Sequence, residues 1–305
     1  MVALLLKHGV NEVKIDWNAT PALVAAMPFP SIVDMLLERG ADCQARFGTK
    51  GFAPIEWAIR SGNVALVQRL LDHGVTLNIC LAGTERTILT SAAVGGATML
   101  QFLHPYGVIP VPSDIYDQYA MVAAVRRGDS ITTEYFLNQG FDPNSDLGAL
   151  RQYYSYDHNI RPYLSNAAEA PDPEAAAATL DVLLHYGADI DKWEELPYCW
   201  SRVGHKGRRL VSLRLILERG ANPLPEHKFG LSMLAEAAER NHKEAIQLLL
   251  THAQKRALTL DDLHRNLLLV EGTSEQWERQ RFQGSWYIVR LWRRLYWRKM
   301  YPVLT

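Results

Sequence analysis

The stretch Leu36-Leu37-Glu38-Arg39-Gly40-Ala41-Asp42 returns in variant form along the chain, and its recurrence decides the fold. Each copy ends an apolar, helix-like run with a glycine or, in the last copy, a histidine. The landmarks are Gly9, Gly40, Gly74, Gly107, Gly140, Gly187, Gly220 and His252. Their spacings are 31, 34, 33, 33, 47, 33 and 32 residues, and a period of about 33 indicates a stacked repeat array. Because glycine turns through the left-handed region at low cost, the chain is predicted to leave a helix at each of these glycines.

Two further landmarks place another helix in each repeat. In the regular repeats a small residue recurs fifteen or sixteen positions before the glycine, and small side chains let neighbouring helices approach closely. The set is Ala25, Ala58, Ala92, Ala124, Ala167, Ser201 and Ala237. Five positions earlier the chain has helix-start residues, a hydroxyl cap or a proline in the first turn. These pairs are Thr20-Pro21, Ala53-Pro54, Thr87-Ile88 and Ser232-Met233.

The combined pattern resembles the ankyrin repeat family, whose units carry Thr-Pro-Leu-His-x-Ala-Ala, a Gly-Asn or Gly-Asp corner, and Leu-Leu-x-x-Gly-Ala-Asp. The best matches are 53–74, with its corner Ser61-Gly62-Asn63, then 87–107 and 230–252. The resemblance implies an all-α solenoid of helix-turn-helix units over residues 1–252, with a partial first repeat and about seven units. One departure is systematic, because the family's histidine in the first helix is absent. Its positions hold Leu23, Glu56, Thr90, Val122, Ser165, Cys199 and Ala235.

The composition is that of an ordinary globular chain with an uneven distribution of charge. Of 305 residues, 48% are hydrophobic and 21% are charged, and the formal net charge is −1. Residues 253–305 hold ten Lys or Arg against five Asp or Glu, whereas residues 1–252 hold 22 against 28. The three cysteines form no Cys-x-x-Cys pair, so a reducing compartment is favoured over a disulfide framework or a zinc site. No apolar run is long enough to span a bilayer, and we expect an intracellular protein, cytoplasmic or nuclear.

The start and the middle of the array depart from the repeat. Met1 begins inside a predicted second helix, and solenoids usually end in polar caps. We therefore expect either a longer natural chain or a neighbouring molecule that covers this end. The interval from Gly140 to Gly187 is 14 residues longer than a repeat, with an insertion near 147–175. Insertions in such arrays often lie on the binding face, so the Tyr-rich part is predicted either to contact a partner or to pack locally.

The outward turns and the first helices are the surfaces expected to meet a partner. Aromatic and arginine side chains at turn tips are candidates for contact, although any such tip can equally be a solvated turn. The candidate partner-binding residues are Trp17, Phe47, Arg86, Tyr116, Tyr153, Tyr154, Tyr156, Trp193 and Phe229.

Residues 253–305 follow no repeat phase and are predicted to form two helices. In the second helix, Ile288, Leu291, Trp292, Leu295 and Tyr296 share one face, and four arginines share another. This segment is predicted to cap the last repeat with its apolar face. The alternatives are a docking helix for another protein and a membrane-surface or nucleic-acid role. Docking would use Trp286, Trp292, Trp297, Arg290, Arg294 and Arg298.

No catalytic pattern is present in the sequence. It lacks Gly-x-Gly-x-x-Gly, a P-loop, His-Glu-x-x-His and Gly-x-Ser-x-Gly, and its ten histidines are scattered. We therefore expect no catalytic residues, no cofactor and no metal. The tripeptide Arg127-Gly128-Asp129 matches an integrin motif, but it lies at a predicted inter-helix corner.

The predicted function is non-enzymatic protein binding through the concave face that an ankyrin array implies, without direct nucleic-acid contact or a transmembrane segment. The partner's identity is not encoded by the fold. One alternative is a transcription coregulator that acts through a DNA-binding partner. A weaker one is a ubiquitin-ligase substrate adaptor, because residues 259–268 resemble the elongin-binding helix of SOCS-box proteins, with His264 in place of the usual cysteine. An enzyme on a repeat scaffold is the third class.

Overall fold

The computed structural model describes residues 22–42, 53–77, 88–153, 161–193, 206–223 and 242–256, together with positions 234 and 237. Within these ranges the secondary structure is helical and contains no β-strand. None of the helices found there is both long enough and apolar enough to cross a bilayer. The chain divides into two compact units, one comprising residues 1–142 and 148–158 and the other residues 143–147 and 159–305.

The first unit is built from pairs of helices joined by tight corners. Its helices are α1 Ala22–Ala25, α2 Pro30–Leu37, α3 Pro54–Arg60, α4 Val64–Asp72, α5 Ile88–Gly95, α6 Ala97–Leu103, α7 Ile115–Arg127, α8 Ser130–Asn138 and α9 Gly148–Tyr153. The first helices α1, α3, α5 and α7 pack against one another in chain order. The second helices α4, α6 and α8 do the same, and each also packs on its own first helix. This two-layer arrangement is the one that the repeat pattern predicts.

The ends of the helices follow from local chemistry. Pro54 stands in the first turn of α3, as the sequence predicts, where its missing N–H leaves no bond unmade. Two of the second helices, α4 and α8, begin at polar caps: Asn63 Oδ1 accepts from Leu66 N at 3.0 Å, and Asp129 Oδ1 accepts from Thr132 N at 3.0 Å. The integrin-like tripeptide is therefore part of a helix cap. The predicted hydroxyl caps at 20, 87 and 232 lie outside the described residues.

The repeat glycines have the predicted backbone conformation. Six of them are described, with φ between 77° at Gly40 and 92° at Gly220. In each case the following residue donates to a carbonyl five positions back, as Ala41 N does to Leu36 O at 3.0 Å. A side chain in this left-handed region would be strained, so the glycine stops the second helix and reverses the chain.

The small residues fill the core as predicted, with one exception. Ala58, Ala92, Ala124, Ala167 and Ala237 are all buried. The prediction for Ala25 is wrong, because this residue is exposed and its neighbour Ala26 is buried instead. The cause is the sequence Met27-Pro28-Phe29-Pro30, which ends α1 early since residues that precede proline avoid the helical conformation. Ser201 lies outside the described residues.

The second unit has longer connections. Its helices are α10 Tyr163–Ala168, α11 Pro173–His185, α12 Lys206–Glu218 and α13 Lys243–Lys255, with a 3-10 turn at Ile190–Trp193. Helix α11 begins one residue before the predicted start at Glu174, and Asp172 caps it by accepting from Ala175 N at 3.0 Å. Helix α13 runs three residues past the predicted repeat boundary at 252.

The connecting loops of the second unit are tied to one another by side chains. Asn144 donates to the Gly187 carbonyl at 2.9 Å and accepts from Asp189 N at 2.7 Å. Asp191 accepts from Asn222 N at 2.8 Å, 31 residues further along the chain. These bonds satisfy backbone groups at the repeat turns and hold successive loops together.

Candidate protein-binding face

The free side of the first helices in the first unit forms a candidate binding face. Helix α3 packs against α1 and α5 on its flanks and against α4 behind it, so only one strip of it can meet solvent. Residues 53–59 are buried with a single exception, Trp57, which is 45% exposed. Arg60, one turn further along the same strip, is half-buried. The sequence thus places a tryptophan and an arginine where the neighbouring helices leave room.

The same strip continues over the next two first helices. The buried alanines Ala58, Ala92 and Ala124 occupy the same position in successive repeats. The residue two positions after each of them is Arg60 in α3, Val94 in α5 and Arg126 in α7. These three positions are half-buried, as is Ala123, and Arg127 is exposed. We define the first-helix face by these residues: Trp57, Arg60, Val94, Ala123, Arg126 and Arg127.

Two glycines, Gly62 and Gly95, allow a close backbone contact where α3 and α5 end. A Cβ on Gly95 would collide with the Ile59 carbonyl oxygen, and a Cβ on Gly62 would lie 2.7 Å from the Gly95 oxygen. Both clashes involve backbone atoms, which cannot swing aside. Gly62 also has φ of 72°, in the left-handed region. Glycine at both positions therefore allows the backbones at the ends of α3 and α5 to touch.

Arg127 joins the next helix to this strip. Its Nη1 donates to the Ala93 carbonyl at 3.4 Å and to the Val94 carbonyl at 2.5 Å, which satisfies acceptors at the end of α5. Its Nη2 lies 3.9 Å from Asp129 Oδ2, so the side chain is held between two elements. The guanidinium is therefore held by contacts on both sides.

Three basic side chains lie on this face in an array that is acidic on average. Residues 1–252 carry more acidic than basic side chains, yet the defined face contains three arginines and no carboxylate. The acidic residue of α3, Glu56, is buried and accepts from Ser91 Oγ at 3.2 Å, so it is directed into the helix layer. Asp129 stands at the edge of the face. An exposed tryptophan with arginines beside it is a combination that recurs at protein interfaces.

Among the predicted site residues, only Tyr116 has a side chain that the structure describes. Trp17, Phe47, Arg86, Tyr154, Tyr156, Phe229 and the tail residues Trp286, Arg290, Trp292, Arg294, Trp297 and Arg298 lie outside the described residues. Tyr153 ends α9 and Trp193 ends a 3-10 turn, where only the backbone is described. Tyr116 is half-buried in the first turn of α7 instead of lying at a turn tip, because Asp114 caps the helix by accepting from its N–H at 2.7 Å.

The first-helix face has a signal in the sequence that the choice of candidates missed. In Ala58-Ile59-Arg60 and Ala124-Val125-Arg126 an arginine follows the small packed residue by two positions. Trp57 directly precedes the first of these small residues. The predicted candidates lie mostly at turn tips and do not include these helix residues. The exposure of a residue within a helix depends on which sides of that helix the neighbouring helices cover.

A second surface feature lies between the second helices α2 and α4. It is an open groove of about 450 Å³ lined by Asp34, Ala65, Gln68, Arg69, Asp72 and His73. Arg69 and Asp34 form an ion pair across it. Its acidic and basic groups are intermixed, and the described residues contain no cluster of three or more potential metal ligands. The groove therefore offers no surface of a single charge sign to a ligand.

A comparison with solved structures supports the ankyrin-repeat fold through one match with a TM-score above 0.5. No protein-family model matches the chain. The crystal structure of the human ASB11 ankyrin repeat domain superposes with a TM-score of 0.54 at 20% identity, covering 76% of this chain and 98% of that one. The ankyrin repeat domain of Bcl-3, described as a unique member of the IkappaB family, gives a TM-score of 0.45 at 22% identity, covering 66% and 86%.

A curated relative gives a shorter match. An L-asparaginase of Dirofilaria immitis is 24% identical over 190 residues, which are 62% of this chain and 30% of that protein. The chain thus spans less than a third of the length of that relative. The name L-asparaginase describes the whole of that protein, and the matched portion assigns no activity here.

Proposed function

Since the chain has the ankyrin-repeat fold, we propose that it is a non-enzymatic protein-binding module whose first-helix face holds a segment of a partner protein. The observation that carries the proposal is Trp57, which is 45% exposed in a helix segment that is otherwise buried from residue 53 to residue 59. Tryptophan and arginine are the residue types most enriched among those that dominate binding energy at interfaces. Here a tryptophan stands one helical turn from an arginine.

The helices packed around α3 favour a role of Trp57 in binding a partner. Packed helices hold α3 on three sides, and the glycine contact at its end joins it to α5. A side chain mounted on such a platform loses little freedom when a partner binds, so less of the interaction energy is spent on ordering it. The face is therefore preorganised for binding.

The proposal of a non-enzymatic role rests on how the polar groups are used. Asn63, Asp129 and Asp172 cap helices, Arg219 pairs with Asp181, and Arg127 binds backbone carbonyls. Each of these contacts stabilises the array itself. These particular groups thus serve folding, whereas catalysis needs groups that converge on a common point.

The division at residue 252 and the role of the tail remain proposals. We propose that residues 253–305 form a C-terminal helical cap or docking segment for the repeat array. The coregulator and ubiquitin-ligase adaptor alternatives depend on the same segment, at positions outside the described residues. An intracellular location is likewise proposed, on the basis of the unpaired cysteine pattern in the sequence.

A displayed library of random peptides tests the proposed function. The full chain is used for selection, and each enriched peptide is measured by fluorescence anisotropy against the unmodified chain and the Trp57→Ala variant. We expect a class of peptides whose Kd rises at least about tenfold in the variant, since a central aromatic is lost. Arg39→Gln, at an exposed position in the turn after α2, is the matched control and should change nothing. Selected peptides that bind Trp57→Ala as tightly as the unmodified chain would place binding elsewhere and refute the proposal.

A further inference from the structure

We infer that the loop between α6 and α7 is a second docking surface, which takes the apolar face of an amphipathic, basic helix of a partner protein. The loop comprises residues 106–112, and we call it the apolar loop. It shares no residue with the first-helix face, so this inference is independent of the proposed role of Trp57. It follows from the exposed side chains of the loop, from its hydrogen bonds and from the charge beside it.

The apolar loop exposes three large hydrophobic side chains close together. Within the described part of the chain seven such side chains are exposed, and three of them, Tyr106, Ile109 and Val111, fall among six consecutive residues. Their exposures are 46%, 52% and 48%. Six residues span at most about 20 Å, so one partner can reach all three side chains. Apolar side chains exposed together mark interaction sites, whereas single ones need no explanation.

Hydrogen bonds hold the apolar loop in place. Val111 N donates to Asp117 Oδ2 at 2.8 Å, and Val111 O accepts from Asp114 N at 2.9 Å. The Pro112 carbonyl accepts from Gln118 Nε2 at 3.1 Å. Two prolines in the loop fix two further φ angles. The exposed side chains are therefore presented on an ordered support, which loses little conformational freedom when a partner binds.

The same bonds exclude pairing with an added β-strand. A partner strand needs free N–H groups along the edge that it joins. In the apolar loop Val108 N donates to Leu103 O at 3.3 Å, Val111 N donates to Asp117, and positions 110 and 112 are prolines without an N–H. Among residues 108–112 only Ile109 N is left. The partner must therefore meet side chains, which a helix offers because its own backbone groups are already bonded.

The spacing of the exposed side chains also fits a helix. Ile109 and Val111 each precede a proline, which favours the extended conformation. Pro110 is buried between them, so the two exposed side chains share the outer side of the loop. Two residues of extended chain cover about 6.6 Å, and helix positions four residues apart lie about 6 Å apart along the axis. Apolar residues at positions i and i+4 of a partner helix therefore match this pair.

Charge beside the loop favours a basic helix. Residues 88–125 contain no Lys or Arg, and Asp114 and Asp117 follow the apolar loop within five residues. Asp114 is exposed, and its Oδ1 accepts from the N–H groups of Tyr116 and Asp117 at the start of α7. Its Oδ2 accepts no hydrogen bond from the described residues. A Lys or Arg at the edge of the apolar face of a partner helix can therefore pair with Asp114.

A displayed library of random peptides about 16 residues long, enough for four helical turns, tests the inference on the full chain. Each enriched peptide is measured by fluorescence anisotropy with the unmodified chain and with the Ile109→Ser/Val111→Ser variant. We expect a class of peptides whose Kd rises at least about tenfold in this variant, since the apolar contact is lost. Ile131→Ser, at a position 69% exposed in α8, is the matched control. It and Trp57→Ala should leave the Kd of these peptides unchanged.

The peptides that depend on the apolar loop also test the form and charge of the partner. Proline in place of a polar residue at the middle of such a peptide should abolish binding, and alanine there should not, because proline breaks a helix. These peptides should be enriched in Lys or Arg relative to the starting library. Asp114→Asn should raise their Kd about two- to fivefold, the effect of an exposed ion pair. Replacing the basic residues of a peptide by Gln should remove its sensitivity to Asp114→Asn.

The inference is wrong if no selected peptide depends on Ile109 and Val111, or if the dependent peptides lose binding equally in Trp57→Ala. Binding that tolerates the central proline would overturn the helical partner, and dependent peptides without a basic excess would overturn the role of Asp114. Light scattering of the full chain supplies a further check. A dimer that the Ile109→Ser/Val111→Ser variant abolishes would assign the loop to a second copy of this chain instead. Any of these failures leaves the peptides selected through Trp57, and with them the proposed function, standing.

Discussion

Arg219 donates two hydrogen bonds to Asp181, from Nε to Oδ1 at 2.7 Å and from Nη2 to Oδ2 at 2.9 Å, and so joins the end of α12 to α11. Tyr106 makes the equivalent contact in the first unit, where its hydroxyl donates to Gln68 Oε1 at 3.2 Å. Arg219 and Tyr106 each directly precede a repeat glycine, while Asp181 and Gln68 each lie six residues before one. The same pair of repeat positions therefore ties consecutive second helices in both units.

Replacing Arg219 by lysine should weaken the array although the charge is kept. Lysine cannot donate two parallel bonds to a carboxylate or reach the Ala177 carbonyl that Arg219 Nη2 also binds at 3.1 Å. Asp181 is 63% exposed, so water screens part of the ion pair, and we expect a loss of about 1 kcal/mol in the free energy of unfolding. Urea denaturation measures it, with Arg214→Lys, exposed on the same helix, as the control. Equal midpoints for the two variants would contradict this role.

Replacing Ala92 by leucine should overpack the layer of first helices. Ala92 is fully buried in α5, and the added atoms would cost about 1 to 3 kcal/mol in the free energy of unfolding. Ala25→Leu is the matched control, because Ala25 is exposed at the end of α1 and leucine there meets solvent. Thermal unfolding followed by circular dichroism compares the two. A midpoint that falls equally in both variants would show that the small residues are not what sets the helix spacing.

Asp117 should make the stability of the array depend on pH. The pKa of this carboxyl is raised from 3.8 to about 6: burial is the largest cause, the hydrogen bond from Val111 N at 2.8 Å opposes it, and the nearby Asp114 carboxylate adds to the rise. Between pH 3.8 and about pH 6, the folded state therefore keeps a proton on Asp117 that the unfolded state has released. The stabilising contribution of the neutral form is therefore complete below about pH 4 and is lost as the pH rises through about 6.

The Asp117→Asn variant tests this dependence. Asparagine still accepts the bond from Val111 N but carries no charge. We expect unchanged stability below about pH 4 and a gain of about 1 kcal/mol in the free energy of unfolding at pH 7, reduced by solvent screening of a half-buried group. Asp114→Asn is a useful comparison because it removes a charge and keeps the cap. A less stable Asp117→Asn protein at pH 7 would mean that the dipole of α7 outweighs burial.

The C-terminal segment is predicted to cap the last repeat. Helix α13 continues to Lys255, and Arg256 donates to the Gly220 carbonyl, so a truncation that tests the tail should end after Arg256. If the tail hides its apolar stripe on the array, truncation should lower the unfolding midpoint and promote aggregation, and Trp292→Ala should reproduce part of the loss. Light scattering and thermal melting report both effects. A truncated chain that stays monomeric and equally stable would favour a docking segment instead.

The repeat architecture could be predicted from the sequence because its causes are local. A glycine that must turn at positive φ, a proline in a first turn and a polar residue at a corner each act within a few residues. Gly40, Pro54 and Asn63 accordingly take the conformations that their neighbours dictate. Ala25 shows where prediction from the repeat pattern fails, since α1 ends early beside Pro28-Phe29-Pro30 and Ala25 is exposed.

The candidate site could not be predicted in the same way, because exposure is a property of neighbours far apart in sequence. The sequence by itself determined the period of about 33 residues, the helix pairs and their glycine stops, all of which follow from short-range sterics and hydrogen bonding. Only the tertiary structure decided that Glu56 points inward to Ser91 while Trp57 faces solvent, and that Gly62 and Gly95 let α3 and α5 touch. The physical reason is that α3 is covered by the first helices of the neighbouring repeats on its flanks and by its own second helix behind it, and the remaining side is the surface that can meet a partner.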